Sequence, residues 1–106
     1  MTTATINWTL PTQRTDGTPL APTDLASTEI FDSVNGAAAT LIATVPTPAT
    51  MLTTPSLVPG THVFTLSAVD TAGTVGVAST PVSETVPTPA LAPPAAITGV
   101  TVVLNP

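Results

Sequence analysis

Few residues in this chain can do chemistry near neutral pH. There is one histidine, His62, one basic side chain, Arg14, and six carboxylates, with no cysteine. His62 as a general base would need an orienting partner and a nucleophile within reach. As a metal ligand it would need companions of its own kind. With no second histidine and no thiolate, the imidazole reads as a structural hydrogen-bonding group. Asp16 and Asp24 are the two carboxylates nearest each other in the first loop, but a hard cation wants several converging oxygens. Glu29 and Asp70 fall on different predicted strands with no reason to converge. Trp8 could stack on a sugar, but Ile6 and Leu10 lie in phase with it, which assigns it to a core. The sequence carries no phosphate-binding loop, nucleotide-binding glycine pattern or zinc-ligand spacing. It therefore predicts no enzyme, no cofactor and no metal.

The elements that must hold these residues are strands. Thirteen prolines and abundant threonine oppose long helices, and no segment sustains a 3.6-residue period. Residues 4–10 alternate, with Ile6, Trp8 and Leu10 on one face, until Pro11 ends the run. The Asp16-Gly17-Thr18-Pro19 stretch has strong turn chemistry. Residues 25–34 predict a long strand, and Asn35-Gly36 a two-residue hairpin, because both tolerate positive φ. Residues 39–45 form the returning strand, broken by Pro46 and Pro48. A short strand follows over 50–53. Pro59-Gly60 then turns into the clearest strand of the chain, with His62, Phe64, Leu66 and Ala68 on one face and Val63, Thr65, Ser67 and Val69 on the other. After Gly73 a last strand is expected over about 75–86, marked by Pro81 as an edge or a bulge.

Composition excludes several classes of partner. Charged residues are 7% of the chain and the net charge is −5 with a single arginine, so nothing is available to displace counterions from nucleic acid or to adsorb to an anionic membrane. The N-terminus lacks a basic region and a continuous apolar run, so no secretory signal is expected, and no apolar stretch approaches a membrane span. Apolar residues at 42% suffice for one core in 106 residues, but with 3% aromatics it must be built mainly from aliphatic side chains. A surface poor in charge and rich in Thr, Ser and small apolar groups suits packing against other proteins, including copies of itself.

The run Leu57-Val-Pro-Gly-Thr-His-Val-Phe-Thr-Leu-Ser-Ala-Val-Asp70 before Thr71-Ala-Gly73 resembles the F-strand signature of fibronectin type III domains, with His62 at the aromatic place of the corner motif. Ile6-Asn-Trp8 resembles the B strand of that family, Asp16-Gly-Thr-Pro-Leu20 its following loop, and Ile30 and Phe31 its C strand. Thr28 stands where the family prefers Tyr. The resemblance covers about residues 4–86. It implies an all-β, immunoglobulin-like sandwich whose core includes Ile6, Trp8, Ile30, Leu57, His62, Phe64 and Leu66, and a binding or building module rather than a catalyst. The expected organisation is a sandwich over 1–86, a proline-rich linker over 87–96 and a strand segment over 97–106. A short chain starting with Met, with no export signal and little charge, is similar to the small immunoglobulin-like proteins of tailed bacteriophages. That implies a virion protein assembled in the host cytoplasm, foremost a capsid decoration protein contacting the major capsid protein. The alternatives are a tail-associated protein bound to tail proteins, or a carbohydrate-binding, adhesive module of a surface protein.

The C-terminal segment stands outside the resemblance. Pro87 to Pro94 reads as an extended, polyproline-like linker. Beyond it, Ile97, Val100, Val102 and Leu104 belong to a β-branched run that resembles the first strand of such a domain. Only three residues precede the first strand, so that strand's edge should lack a partner. The tail is expected to fill the place by strand addition, in its own subunit or a neighbour.

Overall fold

The computed structural model describes residues 2–89 and 91–105. They form six strands and one short 3-10 turn, Pro22–Asp24: β1 (Thr5–Asn7), β2 (Leu25–Val34), β3 (Thr40–Pro46), β4 (Met51–Thr53), β5 (Gly60–Asp70) and β6 (Val82–Val86). The chain is all-β, with two antiparallel sheets. One has the order β3-β2-β5-β6 and the other pairs β1 with β4. Among the described residues no helix is long and apolar enough to cross a membrane.

β2 and β5 are the spine of the larger sheet. Ile30 faces Ala43 of β3 and Leu66 of β5 and is fully buried. The hairpin between β2 and β3 turns through Asn35 and Gly36, at φ of 52° and 79°, closed by the Ala37 N–H donating to the Val34 carbonyl at 3.0 Å. Asn35 also binds the start of β5, its Oδ1 accepting the Thr61 N–H at 2.9 Å. Its side chain lies so close to Gly60, at φ 139°, that a Cβ there would sit 2.7 Å from Asn35 Oδ1.

The opposite end of the spine is tied by Asp70. Its Oδ1 accepts the N–H groups of Ala72 and Thr74, at 3.0 and 2.8 Å. Its Oδ2 binds Arg14 Nη1 at 3.0 Å, which fastens the 11–20 loop to the sheet.

Three expectations need correction. The strand expected over 75–86 is regular only over Val82–Val86. Between Gly76 and Pro81 the chain holds on to β5 by separate bonds, the Gly76 N–H to the Ala68 carbonyl and the Ser79 N–H to the Leu66 carbonyl. Pro81 has no N–H to continue a ladder. The first strand spans 5–7 rather than 4–10, although Trp8 N–H still donates to Thr50 O. Residues 97–104 belong to no strand, and Ile97, Val100, Val102 and Leu104 are all exposed. The tail thus does not complete the sheet of its own subunit here. Prolines 87, 89, 93 and 94 give the segment a stiff, extended backbone that does not readily fold back.

Candidate functional site

The apolar interior is small. Leu20, Leu25, Ile30, Val45, Phe64 and Val86 are buried. Of the residues expected in the core, Ile30, His62 and Phe64 are buried, whereas Ile6, Trp8, Leu57 and Leu66 are half-buried. The half-buried ones share a cause. β1 pairs with β4 on one side, and on its other side no described strand continues the sheet. A groove of about 750 Å³ is left between β1 and β6, lined mainly by apolar side chains that include Ile6, Trp8, Phe64, Leu66, Val82 and Val86. Thr54 ties the end of β4 to the start of β1, donating its N–H to Ala4 O and accepting the Ala4 N–H on Oγ1.

Among the described residues, three buried side-chain polar atoms have no hydrogen-bond partner: Trp8 Nε1, Thr28 Oγ1 and Asp32 Oδ1. Trp8 and Thr28 both line the groove. Native interiors rarely leave such atoms unpaired, so the groove is where the packing of this sandwich-like body is incomplete.

His62 is held by a partner the sequence reading missed. Its Nδ1 lies 2.7 Å from Asp32 Oδ2 and its Nε2 2.8 Å from the Val58 carbonyl oxygen. An acceptor faces each nitrogen, an arrangement that favours the doubly donating imidazolium form. The Val58 carbonyl, then Asp32, raise its pKa above the usual histidine value against the opposing effect of burial. Both nitrogens are engaged in hydrogen bonds within the fold, and the ring is almost completely enclosed. It also stacks on Phe64, with centroids 6.1 Å apart. Asp32 could have been noticed: the alternation of β2 puts it in phase with Thr28 and Ile30, and a carboxylate on an inward face needs a cationic partner.

The other candidates are separated. Asp16 Oδ1 accepts the N–H and hydroxyl of Thr18, which lowers its pKa. Asp24 Oδ2 instead accepts the Ala21 N–H at 2.9 Å. Glu29 faces Thr44 and Ser67 along the strands, and Asp70 is the loop clamp. Among the described residues no three potential ligands gather as a metal site would require.

Among the described residues, half of the exposed large apolar side chains lie in the tail: Leu91, Ile97, Val100, Val102, Val103 and Leu104 are each at least 73% exposed. Comparison with family models, with curated proteins and with solved structures gives no match.

Proposed function

We propose that this chain is a non-enzymatic structural module of the fibronectin type III, immunoglobulin-like class, and that it serves as a capsid decoration protein of a tailed bacteriophage. It is assembled in the host cytoplasm and bound to other virion proteins. The observation that carries the interaction reading is the unpaired β1 edge beside an apolar groove, in a molecule whose histidine is locked into the fold. The pairing of β1 with β4 and the order β3-β2-β5-β6 support the fold assignment, because they follow the B–E and C′–C–F–G strands that the resemblance implies. Virion placement rests on the resemblance to small phage proteins, an analogy of fold and format.

Immunogold labelling of particles purified from the host that carries the gene tests the placement. Label on capsids is the expected result. Label on tails would move the protein to the tail-associated alternative, and unlabelled particles would overturn virion placement. The carbohydrate-binding alternative draws on one observation, the half-buried Trp8 in the groove wall. A sugar site also needs several placed polar groups, and this lining is mainly apolar. Binding on a glycan array that is lost in Trp8→Ala would establish it.

A further inference from the structure

The groove along β1 and the C-terminal segment are complementary, and the topology decides which copy supplies the strand. β1 begins at the end of the molecule where β6 finishes. Thr2 bridges Leu57, just before Gly60, and Gly60 faces Val86. β1 then runs toward the opposite end, where Asp70 faces Leu25 and binds Arg14. β1 and β6 therefore run in opposite directions. A strand added antiparallel to the free edge of β1 must run the way β6 runs, from the Asp70 end to the Val86 end.

The tail leaves from the Val86 end. To occupy its own groove antiparallel to β1, it must first travel back the full height of the body. The tail of a neighbour stacked in line emerges already heading the right way and enters at the Asp70 end without reversing. The dimensions agree with an outward tail. The molecule measures 96 × 22 × 17 Å. The eleven-residue β5 accounts for only ~36 Å of that length, and a polyproline-like tail of about twenty residues for ~60 Å more.

The chemistry fits too. Val100, Val102 and Leu104 share one face of an extended strand. Gly99 lies at φ 71°, the left-handed conformation of a bulge residue, and a bulge there brings Ile97 into phase with them. Residues 87–106 carry no charged side chain, and among the described residues Glu84 is the one charged side chain in the groove lining. No like-charge repulsion opposes entry. The incoming backbone also brings carbonyl and amide groups to the wall that contains the unpaired Trp8 N–H and Thr28 hydroxyl.

We infer that Ile97 to Leu104 of one copy adds antiparallel to β1 of the next, linking copies head to tail. A row of any length keeps one open groove at one end and one free tail at the other, so the contact is heterologous and does not close: it yields open chains rather than a symmetric dimer. This rests on the reading of the chain as an interaction module and is independent of virion placement.

The test is sedimentation and light scattering of the full chain over a hundredfold concentration range, with electron microscopy of the concentrated sample. A series of sizes that grows with concentration, seen as linear rows, is expected. Val100→Asp/Val102→Asp alters a segment that packs against nothing in this structure, so it should keep the melting temperature of the dilute parent and remain monomeric. A labelled peptide of residues 93–105 should bind that variant, and the same peptide with both aspartates should not. A discrete dimer would overturn the head-to-tail inference. So would a monomer at every concentration, including one whose melting temperature falls with the aspartate pair, since that marks a tail seated in its own groove. Failure of any of these leaves the immunogold result unaffected, so the two readings fail separately.

Discussion

His62 and Asp32 form the most consequential side-chain pair in the molecule. Both are almost fully enclosed, 1% and 6% exposed at their side chains, and burying two ions is costly unless each finds its partners. The imidazolium finds both of its own, Asp32 and the Val58 carbonyl. Because the folded-state pKa is raised above the unfolded value near ~6.5, the pair contributes its full stability below that pH. The contribution falls as pH climbs through the folded-state pKa, where the native state loses the proton it had held more tightly than the unfolded chain. Thermal melts at rising pH should therefore show stability declining above ~6.5, and the decline should vanish in His62→Gln. Asp32→Ala leaves a buried cation without its counter-ion and should cost about 3–5 kcal/mol in urea titration at pH 6. A flat pH profile in the parent would show that the ring is neutral in the fold.

At the scale of elements, the larger sheet is specified at both ends of β5. Gly60 combines a φ that L side chains rarely adopt with the close approach of Asn35. Gly60→Ala must either strain the backbone or push Asn35 off Thr61, and should cost about 1–3 kcal/mol. Asn35→Ala/Gly60→Ala should recover the part that is due to the clash and retain the part due to φ. The smaller sheet is less well covered. Trp8 is half-buried, so Trp8→Ala should cost roughly half of the ~3–5 kcal/mol typical for a fully enclosed large aromatic. Native fluorescence checks the same point: dilute protein should emit between the wavelengths of exposed and of buried indole, shifting blue as copies associate.

For the whole molecule, the charged side chains and the apolar tail occupy separate parts of the chain. All seven formal charges lie before residue 87, so contacts made by the tail have no charge for salt to screen. Raising salt from 0.1 to 1 M shortens the Debye length from ~10 to ~3 Å and would weaken electrostatic docking. Self-association here should be unchanged or strengthened by that step, and dissociation in 1 M salt would show that the contact lies elsewhere. Truncation after Ala92 should leave the melting temperature of dilute protein unchanged, because the described tail residues are exposed, while abolishing the concentration-dependent sizes.

The sequence by itself determined what depends on near neighbours. The alternation of β2 and of the start of β5 and the Asn35-Gly36 turn are local matters of period and backbone freedom, and they were legible residue by residue; Pro46, read as a strand breaker, is instead the last residue of β3. The scarcity of basic residues, with Arg14 alone in the chain, was equally legible. The tertiary structure decided what depends on residues far apart in the chain. Asp32 meets His62 across thirty positions because two strands pair in one register, a relation that no spacing rule expresses. Trp8 was readable as an inward-facing residue, but how deeply it is covered depends on what lies beside β1, which is a matter of sheet order. The apolar tail reads as a strand in the sequence, yet in the structure residues 97–104 pair with nothing. That β1 and β6 run in opposite directions became visible only once both ends of the sheet were joined in space, because strand polarity is set by pairing and not by composition.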